Sequence, residues 1–231
     1  MSATTTFILW AFGGYLLGSI PFGLILCRIF GYGDIRKSGS GNIGATNVLR
    51  CTKSKTLALL TILFDAAKAG VIAYIARQVV TTEPYVLGNI ITQQNILTAL
   101  IAGVAAVIGH NFPLWLRFKG GKGVASSFGL ILALVPYTAL TALAIWIVAA
   151  IVFRYSSLAA IIAAIATPLV SFFYNDMVYT LFITGLALLL LIRHRANFAR
   201  LIKGEESKIS FQKKSSLSKS AKKTQTQKSK K

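Results

Sequence analysis

The stretch VASSFGLILALVPYTALTALAIWIVAAIVF, residues 124–153, decides the fold. It runs thirty residues without an Asp, Glu, Lys or Arg. One upright membrane helix takes roughly 17–25 residues at about 1.5 Å each, so the stretch is too long for one crossing and short for two. Pro136 divides it near the middle. Charge settles the matter, because basic loops collect on the cytoplasmic side of a membrane. A single crossing would put the segment carrying Arg117, Lys119 and Lys122 and the basic C-terminal tail on opposite sides. Two short helices, at about 124–138 and 139–153, keep both inside.

Working outward, apolar stretches at about 6–29, 56–76, 95–112, 157–174 and 177–192 bring the expected count to seven. The fold class is therefore all-α, a polytopic integral membrane protein of about seven transmembrane helices. The first six residues carry no charged side chain, which places the N-terminus outside and the C-terminus in the cytoplasm. The cytoplasmic segments then hold Arg28, Arg36, Lys37, Arg50, Lys53 and Lys55, then 110–123, the turn at Arg154, and the tail. The opposite loops hold only Arg77, Glu83 and Asp176. The first apolar stretch lacks a basic n-region and exceeds the length of a signal-peptide core, so it is expected to stay as a membrane helix.

Composition agrees: 55% of residues are hydrophobic and 13% charged, far from a soluble domain. The net charge of +19 resembles that of a nucleic-acid binder, yet thirteen of the twenty-five basic residues lie from Arg193 onward. The chain divides into a transmembrane domain, 1–206, and a Lys/Ser-rich tail, 207–231, whose composition reads as disordered. Phe211 is the one aromatic residue after Phe198, too little stacking surface for bases, so no nucleic acid is expected. Cys27 and Cys51 sit in no CxxC or CxxH spacing and suggest neither zinc nor a redox dithiol.

Three polar clusters interrupt the apolar pattern. In 33–50, glycines allow backbone N–H groups to converge on an anion, Ser40, Thr46 and Asn47 add donors, and Arg36 or Arg50 supplies positive charge. Turn chemistry uses the same residues, so a solvated loop explains any one of them equally well. In 109–123, Lys122 stands at a helix start, where free N–H groups and the helix dipole favour phosphate. Gly123 follows it where a Walker A loop needs Ser or Thr, so ATP is not suggested. Arg117 and Lys119 read as membrane-surface anchors. In 193–206, His194 and Asn197 are three residues apart and share a helix face. Asp65 and Lys68, at the same spacing inside the second apolar stretch, form a candidate buried ion pair of structural role. The six acids form no obvious metal-binding pair, neither histidine opens an HxxxxD motif, and no GxSxG elbow occurs.

In order and topology these clusters resemble the bacterial acyl-phosphate:glycerol-3-phosphate acyltransferases, the PlsY family, over about residues 7–206. The resemblance rests on Leu17–Gly23 leading into Ser38–Val48, on Gly109–Pro113 with Lys119–Ala125, and on Arg193–Asn197. It implies a seven-helix enzyme that moves a fatty acyl group from acyl phosphate to the sn-1 hydroxyl of glycerol 3-phosphate, giving lysophosphatidic acid in an early step of phospholipid synthesis. It implies that Ser40, Gly41, Thr46, Asn47, Arg50, Gly121 and Lys122 hold phosphate groups, and that His194 with Asn197 orients the glycerol hydroxyls. Ser40, Lys122, His194 and Asn197 would then be the catalytic set, with no metal and no cofactor. Acyl phosphate is already activated, so positioning and charge neutralisation suffice. Implied partners are the two substrates, membrane lipids and the soluble enzyme that makes acyl phosphate. The implied location is the bacterial inner membrane, with the site facing the cytoplasm. One departure stands at Ala160, near which some members of the resembled family have a further serine. A transporter for small phosphorylated anions is the competing reading, but it would show inverted repeats, and none is visible.

Overall fold

The first apolar stretch does not fold as one helix. α1 (Ala3–Gly18) stops and α2 (Phe22–Ile29) starts across Ser19-Ile20-Pro21, because proline restricts the residue before it and offers no N–H to continue the ladder. The computed structural model describes residues 1–209; the remainder of the tail, 210–231, lies outside the described residues. α3 (Ala45–Thr52) and α4 (Lys55–Val79) follow. Next comes an antiparallel hairpin, β1 (Pro84–Leu87) with β2 (Ile90–Gln93), which pairs Pro84 with Gln93 and Leu87 with Ile90 around Gly88-Asn89. The remaining helices are α5 (Gln94–Asn111), α6 (Val124–Leu134), α7 (Pro136–Phe153), α8 (Ser156–Tyr174), α9 (Met177–Arg193) and α10 (Arg195–Ile202).

Two expectations need correction. The all-α reading missed the hairpin, a small addition at one end of a helical bundle. The division of 124–153 falls at Val135 rather than after residue 138, since Val135 leaves helical dihedrals ahead of proline, with φ −140° and ψ 72°, and Pro136 occupies the first turn of α7. Ala3–Ile29, Lys55–Val79, Gln94–Leu116, Pro136–Phe153 and Ser156–Tyr174 are long and apolar enough to cross a membrane. α9 and α10, bent by 55° at the break between them, pass the same test only when taken together as one span. α6, at 11 residues, spans about 16 Å, roughly half a bilayer core.

Lipid gives helices little hydrophobic reason to associate, so close backbone approach carries the packing. α1 lies on α5, α4 lies between α5 and α6, and α7, α8 and α9 pack in sequence. At Gly18 a Cβ would meet the Ala106 carbonyl, and at Gly129 one would meet the Ala66 carbonyl. Ala69, Ala73, Ala76, Ala99, Ala102 and Ala106 are fully enclosed around Leu100, Val107, Leu130 and Ile183. At the end bearing the hairpin, Arg77 donates to the Leu134 carbonyl at 3.2 Å and ties off α6. There too Asn175 Nδ2 donates to Thr138 Oγ1 at 2.7 Å, joining α8 to α7.

Candidate active site

At the opposite end four polar segments meet. The α5–α6 loop is built from the last turn of α5: Gly120 N–H donates to the Asn111 carbonyl at 3.2 Å and Gly121 N–H to the His110 carbonyl at 2.9 Å. Gly123 adopts a left-handed φ of 84° as the N-cap of α6 and supplies no capping side chain. The first helical bond is Ser127 N–H to the Gly123 carbonyl, which leaves the N–H groups of Val124, Ala125 and Ser126 without a helical acceptor. Lys122 enters this helix start half-buried, and its Nζ donates to Asn197 Oδ1 at 2.5 Å. Burial lowers the Lys122 ammonium to about 8, with Glu206 opposing the shift and Arg200, Arg50 and Arg193 adding to it.

His194 and Asn197 arrive from the break between α9 and α10, both buried. His194 Nδ1 lies 2.8 Å from the Leu190 carbonyl. A carbonyl oxygen only accepts, so Nδ1 holds the proton and Nε2 keeps a free lone pair. Burial pushes the imidazole down to about 4, partly opposed by the Leu190 bond, so the ring is neutral near pH 7. Arg193, one residue earlier, donates to the carbonyls of Gly120 (3.1 Å) and Gly121 (2.9 Å) and lies over the Phe112 ring. The loop and the last helices are thereby locked together.

The chain beyond α10 crosses this end as a strap. Glu206 Oε1 accepts from Ser157 Oγ and Asn197 Nδ2, each at 2.9 Å, and Oε2 accepts from Arg200 Nε at 2.8 Å. Burial alone would raise the Glu206 carboxyl, but these hydrogen bonds outweigh it and hold it below its usual value. Arg50 Nη2 donates to Ser207 Oγ at 2.7 Å, and Ile209 N–H to the Arg154 carbonyl at 2.6 Å. Ile209 packs against Ala149, Ala150 and Ala159. Ser207 to Ile209, given to the tail from sequence, are thus seated on the body.

The 33–50 loop joins through Arg50, and its donors are arranged differently from a simple anion cradle. Asn47 is enclosed: its Nδ2 donates to the carbonyls of Ile35 (3.0 Å), Ser38 (3.3 Å) and Asn42 (2.8 Å), while Oδ1 accepts from Ser40 N–H at 2.8 Å. Asn47 therefore shapes the loop. Gly39 and Gly41 turn it with φ of 63° and 69°. The hydroxyls of Ser40 and Thr46 are exposed and make no hydrogen bond among the described residues. Gly121 is likewise structural in its N–H, which the His110 carbonyl takes. Sequence reasoning brought forward Lys122, His194, Asn197 and Arg50, which the fold gathers at one end. It missed Ser157 and Arg193, which reach the site through contacts 49 to 73 residues away in the chain, and Arg200 and Glu206, which are paired by the turn that follows α10. Ala160 is buried one turn after Ser157. Among the described residues no group of three or more His, Cys, Asp or Glu could hold a metal ion.

A family model for glycerol-3-phosphate acyltransferase matches residues 8–204. The chain belongs to the glycerol-3-phosphate acyltransferase family. It is 49% identical over 204 residues to the glycerol-3-phosphate acyltransferase of Rhodospirillum rubrum, covering 88% of this chain and 91% of that one. It is 47% identical over 202 residues to that of Paramagnetospirillum magneticum, covering 87% and 93%. The crystal structure of PlsY (YgiH), an integral membrane glycerol 3-phosphate acyltransferase, in its glycerol 3-phosphate form matches with a TM-score of 0.78 at 32% identity. The match covers 89% of this chain and 99% of PlsY. The lysophosphatidic acid form of PlsY gives 0.77 at the same identity. This acyltransferase is accordingly a multi-pass membrane protein in which Lys122, His194 and Asn197 meet at one end of the bundle.

Proposed function

We propose that this acyltransferase moves a fatty acyl group from acyl phosphate to the sn-1 hydroxyl of glycerol 3-phosphate, releasing lysophosphatidic acid and phosphate. The observation that carries the reading is the convergence of Lys122, the free N–H groups of α6, neutral His194 and Asn197 at one end of the bundle, with Arg50 and Arg200 around them. Such a set binds anions and neutralises charge. Nothing in it requires a covalent intermediate. The hydroxyl oxygen bonds to the acyl carbon, the acyl–phosphate C–O bond breaks, and the hydroxyl proton passes to a phosphate oxygen of substrate. His194 Nε2, with its free lone pair, accepts from a glycerol hydroxyl and sets its direction of attack. Lys122 and the α6 amides take phosphate, with Ser40, Gly41, Thr46 and Arg50 flanking them from the first loop.

The same reading gives seven crossings, with the N-terminus outside, the site on the cytoplasmic face of the inner membrane and the tail inside. Support comes from the fold: the α5–α6 loop and the α7–α8 turn reach the same cluster through Lys122, Asn197, Glu206 and Ser157, so α6 and α7 leave and return between them. Basic residues at that end match the cytoplasmic rule. The acyl chain lies in an apolar groove of about 370 Å³ between α5 and α9, lined by Val104, Ile108, Phe182, Gly185 and Leu189. Acyl phosphate comes from a soluble enzyme docking at this face.

Purified enzyme in lipid nanodiscs, given glycerol 3-phosphate and either palmitoyl phosphate or palmitoyl-CoA, should make lysophosphatidic acid and free phosphate from the first alone. Product from palmitoyl-CoA and none from palmitoyl phosphate would overturn the donor assignment.

A further inference from the structure

Behind the Gly120–Lys122 loop lies a buried charge cluster outside the reaction just described. Lys68 Nζ donates to Asp65 Oδ1 at 2.9 Å and to the Ile20 carbonyl at 3.2 Å, and lies 2.8 Å from His110 Nδ1. All three side chains are almost wholly enclosed. His110 Nδ1 also lies 3.4 Å from Asp65 Oδ1, which closes the three side chains into one cluster. With Lys68 as the donor, His110 Nδ1 accepts and the ring proton sits on Nε2. The Nε2 edge is seated against Gly121, so closely that a Cβ there would collide with the ring.

An ion pair buried among hydrocarbon is costly and is weak evidence for added stability. Here its third member reaches the loop. Gly121 is enclosed on three sides: its N–H by the His110 carbonyl, its carbonyl by Arg193, and its Cα by the His110 ring. The next residue is Lys122. The ring cannot tilt away while Lys68 holds Nδ1, and Lys68 is itself fixed by Asp65 on α4 and by the α1–α2 break at Ile20. That break lies in the Leu17–Gly23 motif, which has no other part in the site. We propose that Asp65, Lys68 and His110 are positioning residues that set the Gly120–Lys122 loop, and hence Lys122 and the α6 amides, at the height that binds the phosphate of glycerol 3-phosphate. This rests on the loop being the phosphate-binding segment.

His110→Asn tests it, because the shorter amide accepts from Lys68 near the Nδ1 position but removes the ring edge that backs Gly121. A second variant, Asp65→Leu with Lys68→Met, replaces the charges by apolar bulk and leaves the His110 ring unheld. In both, we expect the KM for glycerol 3-phosphate to rise about tenfold. The KM for palmitoyl phosphate and the detergent-solubilised melting temperature should stay near native, and kcat should recover at saturating glycerol 3-phosphate. An unchanged glycerol 3-phosphate KM in both variants overturns the proposal, as does an equal rise in both KM values with a falling melting temperature. Lys122→Ala run in parallel separates the two ideas. If it raises that KM and the cluster variants do not, only the positioning role falls; if it does not, the phosphate-loop reading falls and takes this proposal with it.

Discussion

At Lys122, burial has lowered the ammonium to about 8, so the cation that meets phosphate is present below that pH and is lost above it. The value of kcat/KM for glycerol 3-phosphate reports groups of the free enzyme and should fall as pH passes through about 8. Lys122→Arg keeps a charge across this range, so its lower activity should show no such alkaline limb. Glu206→Gln, which removes the anion opposing the shift, should move the limb to lower pH. A native profile that stays flat well above pH 8 would remove the Lys122 charge from substrate binding. His194 adds no limb near neutrality, since it gains a proton only near pH 4. Lys122, His194 and Asn197 were legible in the sequence because each carries local information: a lysine at a helix start, and an i,i+3 pair at the end of an apolar run. Glu206, Arg193 and Ser157 were not, since their partners lie 6 to 73 residues away in the chain and no helical or strand period encodes those meetings. Asn47 shows a subtler limit: its donors were visible, but their direction, inward to three carbonyls of its own loop, belongs to the fold.

Among the elements, long apolar runs were readable because a membrane helix must satisfy its own backbone and announce itself by length and hydropathy. Breaks were harder. Pro136 was read as a divider, but the end of α6 depends on Val135 leaving helical dihedrals and on Arg77 reaching the Leu134 carbonyl from another helix. The α1–α2 break hid inside one continuous apolar stretch, and the hairpin is too short to give a periodic signal. α9 carries an element-level consequence through Gly185, where a Cβ would touch nothing within 4 Å among the described residues. This open position lines the groove facing Val104 and Ile108 of α5. A Gly185→Phe side chain would fill part of that groove without displacing backbone. With acyl phosphates of increasing chain length, the variant should keep near-native kcat/KM for short chains and lose at least tenfold for long ones, an effect of the lost burial at about 0.8 kcal/mol per CH₂. An equal loss at every length would take the acyl chain out of this groove.

Over the whole molecule, charge and fold divide differently from the first impression of a basic protein. Of the twenty-five basic residues, eight lysines lie beyond Ile209, while Arg50, Lys122, Arg193 and Arg200 stand around the site itself. The strap 204–209 is where the two parts join. Glu206 gives Asn197, Ser157 and Arg200 a common acceptor and provides the anion that keeps Lys122 protonated to higher pH. Ile209 fixes the far end of the strap against α7 and α8. Two truncations therefore differ in kind. Stopping the chain after Ile209 removes eight positive charges and none of these contacts, so turnover per mole of monodisperse enzyme in nanodiscs should stay within about twofold of native. Stopping it after Lys203 leaves Lys122 without its counter-charge and three hydrogen-bond donors without their acceptor, and donors to a charged group are among the costlier ones to strand. That enzyme should lose more than tenfold at pH 7 and recover part of the loss at lower pH, where the Lys122 ammonium is restored. If the shorter deletion costs as much as the longer one, the basic tail takes part in catalysis or substrate capture and the strap alone does not complete the site.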